Sequence, residues 1–548
     1  MKKVMILGAG LMQKPAILAA KKLGFEAAVA DANPEAVCAK LADRFYPVDL
    51  KDKEGLLNLA RELDGKEHEL AGVFTAGTDF SASVAYVAQN TGLTGHSYEA
   101  CLNASDKARM RRCFAEAGVP SPDFIEIEEK EINAVCEKSR LKEIRFPKVV
   151  KPCDNMGGRG CRLVRDETEL EGALKDAVSN SRTHRAIFED YMEGPEFSID
   201  AVVYEGTLTI TGFADRHIYY PPYFIEMGHT MPSACESKIK NELIAAFALG
   251  IQALGLTCGV AKADIKYTQK GPMIGEIAAR LSGGYMSGWT YPYASAMNLT
   301  EEALKIAAGQ KPDYLLANRI SLPWQPHESV IEKDQPFDIY EVPCDLVSAE
   351  RAWISIPGRV SEVTGLEDVT GIFGIRDVLP RCRAGDEVSF PRNNVSKCGN
   401  IISVGVNHEK AVKYAHLAVS NITMRLEPFN ERTDAFLSGK CEEDEKGFPP
   451  SAFTFAPGQK GIFSGPGEGT VIPENAKVLP LMPETLLPLA DSVEDWNHTT
   501  LRQTLEKYDM ICPVHPELDG KLFWSAVLRG GIQGALYVTD CIRLKGKK

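Results

Sequence analysis

The chain has no C-x-x-C pair, no basic block, and no run of about 20 uninterrupted apolar residues. The first absence excludes zinc-ribbon and dithiol redox chemistry, since the fourteen cysteines are scattered singly (Cys38, Cys101, Cys113, Cys136 and onward). Singly placed cysteines read as reduced, mostly buried thiols of a cytoplasmic protein. The second absence, with a formal net charge of −13, excludes general nucleic-acid binding, which depends on cationic contacts to phosphate. The third excludes a transmembrane helix. Met1-Lys2-Lys3 runs straight into a strand-like segment with no signal-peptide core, so a cytoplasmic protein with no membrane partner is expected.

What is present is soluble and globular in character: 44% hydrophobic and 25% charged residues over 548 positions. That length suits roughly three or four domains, each with its own core. KKVMILG at residues 2–8 reads as a buried parallel strand, followed by Gly8-Ala9-Gly10, a helix from about Gln13, and a second strand ending in Asp31. This βαβ opening resembles a dinucleotide fold, but Gln13 occupies the third glycine position. The domain therefore reads as structural α/β, with NAD(P) binding at Gly8–Asp31 as the alternative. GVFTA at 72–76 is a later core strand, and Thr78 or Asp79 at its carboxyl end lines a crevice.

Four further segments carry chemistry. Asp106 and Lys107 open an amphipathic helix that closes at Gly118. A strand ending in Lys151 precedes the loop Gly157-Gly158-Arg159-Gly160, whose backbone N–H groups can close over a triphosphate although the G-x-x-x-x-G-K-[ST] order is absent. A strand into Glu189-Asp190-Tyr191-Met192 then turns at a hinge and leaves through Glu196, where a purine can bond the backbone and ribose hydroxyls the acid. Last, GVAKADIKYTQKGPMIGEIAARLSGG reads as a β-hairpin with Asp264 and Glu276 on neighbouring strands, Arg280 four residues on, and a flexible Ser282-Gly283-Gly284 loop. Hard carboxylate oxygens without His or Cys suit Mg²⁺.

Together the four segments resemble the ATP-grasp superfamily over about Met1 to Leu426, with an amino-terminal domain like those of biotin carboxylase, carbamoyl-phosphate synthetase and purine-pathway carboxylate ligases. The resemblance implies an α/β and α+β multidomain chain: a Rossmann-like pre-ATP-grasp domain at 1–103, and a two-lobed ATP-grasp core at 104–318 with its nucleotide lobe at about 145–205. A small β-rich carboxyl-terminal subdomain at 319–428 and an appended α/β accessory domain at 429–548 follow. It implies ATP contacts from Lys107, Lys151, the flap glycines Gly157, Gly158 and Gly160, the hinge Glu189, Asp190 and Met192, and Glu196. Asp264 and Glu276 would hold Mg²⁺, with Mn²⁺ able to substitute, and Arg280 would act beside Lys151 on the transferred phosphate. Arg216, Glu226, His229, Gly283 and Gly284 would orient substrate. One position departs from the pattern: Ala278 replaces the asparagine that commonly completes the metal shell, as in some amino-acid ligases of the family.

The activity implied is ADP-forming ligation of a small-molecule carboxylate to an amine through an acyl-phosphate. A bicarbonate-activating enzyme of the carboxylase or carbamoyl-phosphate type and a non-catalytic ATP sensor are the alternatives. The stretch GFADRHIYYPPYFIEMGHTMPSA reads as loop or edge strand, and Ser237–Leu254 and Glu409–Leu426 as helices. Asn393, Lys397 and Cys398 are expected to face the cleft of the 319–428 subdomain. The proline- and glycine-rich segment from Phe448 (Gly458, Gly461, Gly465, Gly467, Gly469) fits no phosphate loop, so the accessory domain reads as structural or oligomerising, with a homodimer as the assembly to test.

Overall fold

The computed structural model describes residues 1–137, 144–440, 448–455 and 466–545. Gly458, Gly461 and Gly465 lie outside the described residues. Two compact units emerge. The first comprises Met1–Ile218, His229–Ala349 and Val406–His408, and the second Tyr219–Gly228, Glu350–Gly405 and Glu409–Lys548.

The first unit opens on a parallel sheet of β1 (Lys3–Leu7), β2 (Glu26–Ala30), β3 (Arg44–Tyr46) and β4 (Leu70–Phe74) in the order β3-β2-β1-β4. Alternate residues of β1 enter two different cores: Val4 and Ile6 pack with Ile17 on one face, Met5 and Leu7 with Leu56 on the other. Burial on both faces explains the unbroken apolar run.

An antiparallel sheet follows, built from β5 (Phe124–Glu128), β6 (Lys148–Pro152), β7 (Arg162–Val164) and β8 (Arg185–Asp190) in the order β5-β8-β6-β7. The helix Glu167–Ser179 covers it, with Leu170 and Leu174 against Val150, Val164 and Phe188. The third and larger sheet includes β9 (Glu196–Tyr204), β10 (Thr207–Tyr219), β11 (Ile225–Met231), β12 (Gly259–Thr268) and β13 (Gly271–Ala278). Its site-bearing part runs β13-β12-β9-β10, antiparallel throughout. Leu243, Phe247 and Ile251 of the helix Ser237–Leu254 pack against Ile265, Ile274 and Ile277 of the hairpin.

Two expectations are corrected. The aromatic stretch after Gly212 is neither loop nor edge: Gly212–Tyr219 continues β10, bonded to β9 as far as Arg216, and Ile225–Met231 is a strand buried at every position. The two prolines, Pro221 and Pro222, fall in the turn between strands, where a missing N–H costs no ladder bond. The helix expected over Glu409–Leu426 is His408–Asn421, and Thr423–Leu426 is a strand paired antiparallel with Gly358–Thr364.

In the second unit, Ile375–Pro380 pairs with Gly399–Gly405. The helix Leu501–Ile511 starts on a capping box of Thr500 and Gln503, and Gly520–Lys545 is a helix broken at Gly531 (φ 57°). Tyr508, Phe523 and Trp524 of these helices are fully buried. Every cysteine among the described residues is a free thiol. No helix of the described residues is long and apolar enough to cross a membrane.

Candidate active site

The site is built on the β12–β13 hairpin. Its register places Asp264 opposite Glu276 and Lys262 opposite Ala278, and directly opposed residues of an antiparallel pair share a face. On the other flank of β12, Lys262 opposes Asp200 and Lys266 opposes Glu196 of β9, while Arg216 of β10 also opposes Glu196. The period-2 alternation of four strands therefore collects acids and bases on one surface.

Ion pairs knit that surface together. Arg216 Nη1 stands 2.7 Å from Glu196 Oε1 and 2.7 Å from Asp264 Oδ1. Lys262 Nζ binds Asp264 Oδ2. Lys266 Nζ lies 3.4 Å from Glu196 Oε2 and donates to the Met192 carbonyl at 3.2 Å, which ties the hinge to the hairpin. Gly194 lets the hinge approach: its φ is +144°, and an added Cβ would stand 2.1 Å from the Tyr267 carbonyl oxygen.

Lys107 and Lys151 reach the same place from other elements. Asp106 caps the helix Lys107–Ala117 by accepting from Arg109 N, and this fixes Lys107 at the first turn. Its Nζ donates to the Asn155 carbonyl at 2.9 Å and lies 3.6 Å from Glu276 Oε2. Lys151, on β6, pairs with Glu189 of the adjacent β8, and Glu189 also takes Arg111 Nη2 at 3.0 Å. The Glu189 carboxylate is thus a buried brace for Lys151, and Asp190 pairs with Lys148 while its N–H donates to Asp123 O at 3.1 Å. Gly157, Gly158 and Gly160 sit between β6 and β7 with φ of 72°, 76° and 65°.

Charge compensation decides the protonation states. Burial alone would raise Asp264, but Arg216 and Lys262 outweigh it and hold its carboxyl at about 2. Burial also opposes ionisation of Glu276, and Lys107 and Lys262 overcome that to keep it below its ordinary value. For Lys107, burial is offset by Glu276 and Asp79, so the ammonium lies above its usual range. Both hairpin carboxylates are anionic at neutral pH. Their hard oxygens fit Mg²⁺, which takes few protein ligands and shares its shell with water and phosphate. Among the described residues no cluster of three or more His, Cys, Asp or Glu could hold a metal alone.

The loop after β13 joins the site to the first sheet. Ala76 bridges Leu281 in parallel, Gly77 N donates to the Leu281 carbonyl at 3.1 Å, and Arg280 Nε stands 3.5 Å from Asp79 Oδ1. Ser282 gives its N–H (3.1 Å) and hydroxyl (2.7 Å) to buried Asp200, so its amide is engaged within the protein. Gly283 packs on Gly77, where a Cβ on Gly283 would stand 3.5 Å from the Gly77 Cα, and Gly284 is left-handed (φ 62°).

His229 lies on β11, fully buried, with Nε2 2.7 Å from Thr290 Oγ1. Glu226 belongs to the second unit, where its N–H donates to Asn394 Oδ1 (2.8 Å) and its carbonyl accepts from Lys397 (2.7 Å). Asn393 Oδ1 holds the turn at Val395 N (2.9 Å). Hydrogen bonding with Cys382, then burial, raises the Cys398 thiol well above its ordinary value, so it is no nucleophile. Lys262, Asp200 and Arg111 were missed as site residues. The signal for Lys262 was its spacing, two before Asp264 on an alternating strand.

In the amino-terminal sheet, Gly8-Ala9-Gly10 is closed from inside. The Gln13 side chain fills the space over Gly8 and bonds the Ala76 carbonyl, and Asp31 takes the Ala9 N–H at 2.8 Å.

Three family models match the chain: a ribonucleotide synthetase preATP-grasp domain at residues 1–86, an ATP-grasp domain at 144–288, and the L-amino acid ligase C-terminal domain 2 at 352–427. An uncharacterized protein of Sinorhizobium fredii, y4rH, is 24% identical over 374 residues, covering 68% of this chain and 71% of that one. The carbamoyl phosphate synthase large chain of Pyrococcus furiosus is 31% identical over 191 residues, which is 34% of this chain but 17% of that longer protein. Among solved structures, the L-amino acid ligase of Bacillus licheniformis superposes with a TM-score of 0.63 at 18% identity, over 78% of this chain and 99% of that one. The chain thus carries an ATP-grasp domain at 144–288, preceded by a pre-ATP-grasp domain and followed by a carboxyl-terminal domain matching that of L-amino acid ligases, and it has the fold of the solved ATP-grasp enzymes.

Proposed function

We propose that the chain is an ADP-forming ligase that joins a small-molecule carboxylate to an amine. The observation that carries this reading is the Asp264–Glu276 pair, ringed by lysines delivered from three separate elements. A substrate carboxylate oxygen attacks the γ-phosphorus of ATP, the bond to the β-phosphate oxygen breaks, and an acyl-phosphate and ADP result. The amine nitrogen then attacks the acyl carbon, phosphate leaves with the bonding pair, and the amine's proton passes to solvent.

Lys107 and Lys151 balance triphosphate charge, the Gly157–Gly160 loop covers it, and the hinge through Met192 with Glu196 takes the nucleoside. Arg280, held beside Asp79, faces the transferred phosphate. Asp264 and Glu276 would hold Mg²⁺, which when bound would neutralise phosphate charge. Positioning and electrostatics do most of the work in such transfers. In this reading Arg216, Gly283 and Gly284 would orient substrate, while His229, fully buried, would act through its contact with Thr290. A cytoplasmic setting, Mn²⁺ as substitute metal and a homodimer belong to the same reading.

An amine acceptor is supported by the L-amino acid ligase domain match at 352–427. The match to a carbamoyl phosphate synthase chain favours a second reading, in which bicarbonate is activated. Hydroxylamine trapping separates them. Purified protein with ATP, Mg²⁺ and pooled organic acids should yield an acyl hydroxamate; ADP release with bicarbonate alone, and no hydroxamate from any acid, would establish the second reading instead.

A further inference from the structure

We propose that Lys262 is a built-in cation of the phosphate-transfer site, standing in for one of two divalent ions, so that the chain works with a single Mg²⁺. This rests on reading the site as one for Mg²⁺ and ATP.

The argument begins with register. Lys262 and Ala278 are direct cross-strand partners, one pair along from Asp264 and Glu276. Opposed residues lie on the same face, so the Ala278 methyl beside Lys262 offers no ligand oxygen. Lys262 spends its ammonium on Asp264 Oδ2, and Arg216 Nη1 lies 2.7 Å from Asp264 Oδ1. Both oxygens of Asp264 therefore already face fixed cations. Glu276 differs: among the described residues its ion pair is the one with Lys107, at 3.6 Å.

Lys262 is also anchored. It sits opposite Asp200 on β9, and only 12% of its side chain is exposed. A like charge placed beside buried cations is strongly disfavoured when water cannot screen it. A divalent ion centred on Asp264 would have to displace two direct ion pairs, whereas Glu276, whose contact with Lys107 is 3.6 Å long, is the less encumbered carboxylate for one ion. Two-metal phosphoryl transfer uses its ions as a charge clamp, and a fixed ammonium supplies the same sign of charge without a binding equilibrium. The Mg²⁺ dependence should then follow one ion, bound with nucleotide.

The test counts ions rather than turnover. Mn²⁺ is titrated into the full chain with saturating β,γ-methylene-ATP, and bound metal is read by electron paramagnetic resonance. The wild-type chain should bind one Mn²⁺, as should Lys262→Arg, which keeps the charge. Lys262→Met should gain a second site, tightened at least roughly tenfold over any second binding to wild type. Two comparable Mn²⁺ sites in wild type would overturn the proposal, a measurement that needs no variant. One Mn²⁺ in both wild type and Lys262→Met would remove Lys262 from the role. No nucleotide-dependent Mn²⁺ at all would overturn the Mg²⁺ and ATP reading itself.

Discussion

Two glycine loops follow strands in this chain, and they are opposites. At Gly8-Ala9-Gly10 the protein occupies its own loop: Gln13 lies over Gly8, and Asp31 takes the Ala9 N–H. At Gly157–Gly160 the loop stands after Lys151, and Lys107 reaches the adjoining Asn155 carbonyl. Glycines permit both arrangements, because what they provide is backbone freedom. The partners decide whether that freedom serves packing or phosphate.

The sharpest way to break the contrast is to remove the cation beside each loop. Lys151→Ala should lower substrate-dependent ADP release by at least ~10³-fold, the scale of losing a transition-state charge partner, whereas exposed Lys14→Ala, next to the first loop, should leave it within about twofold. Steady-state ADP release measures both. The brace behind Lys151 comes next. Glu189→Gln leaves Arg111 buried and uncompensated, a class of change that costs ~3–5 kcal/mol, and urea unfolding should show it.

Substitution of the glycines themselves should split by readout. Gly158→Val should raise the KM for ATP roughly tenfold through the left-handed backbone and the loop's approach to phosphate. Gly8→Ala should leave that KM unchanged and lower stability by ~1–3 kcal/mol, because φ is +102° and the new Cβ meets Gln13 Cδ at 3.0 Å. Equal effects of the two on KM would erase the distinction.

The smallest effect concerns an amide-holding acid at the Arg280 loop, Asp200. Burial raises its carboxyl to about 6. An acid with a higher pKa folded than unfolded adds stability that is fully present below about pH 4 and lost as pH rises through about 6. Asp200→Asn abolishes that titration, so the Tm of the variant relative to wild type should climb by ~2–3 °C across the window. A pH-independent difference would contradict the assignment.

Much of the site was legible because the hairpin announces itself: alternation, a Gln269-Lys270 turn and paired acids fix which residues share a face. Lys107, Lys151, Glu189 and Glu196 were legible only as a set, since each alone is an ordinary charged residue near a turn. The pairings were not legible. Glu189 meets Arg111 across 78 positions and Ser282 meets Asp200 across 82, separations that carry no periodic signal. Tyr219 to Tyr223 misled for another reason: aromatics and prolines mark breakers locally, yet the prolines sit in one turn and the strands on either side are interior. Thr423–Leu426 continued an apparently helical pattern until pairing with Gly358–Thr364 claimed it.

The central claim, that the Asp264–Glu276 hairpin activates a carboxylate with ATP, is tested most directly by coupled measurement of ADP release across pooled carboxylates and amines, with wild type and Glu276→Ala side by side. The account predicts release that requires Mg²⁺, a carboxylate and an amine, one phosphate per ADP, and its loss in the variant. Carboxylate-dependent release undiminished in Glu276→Ala would contradict it.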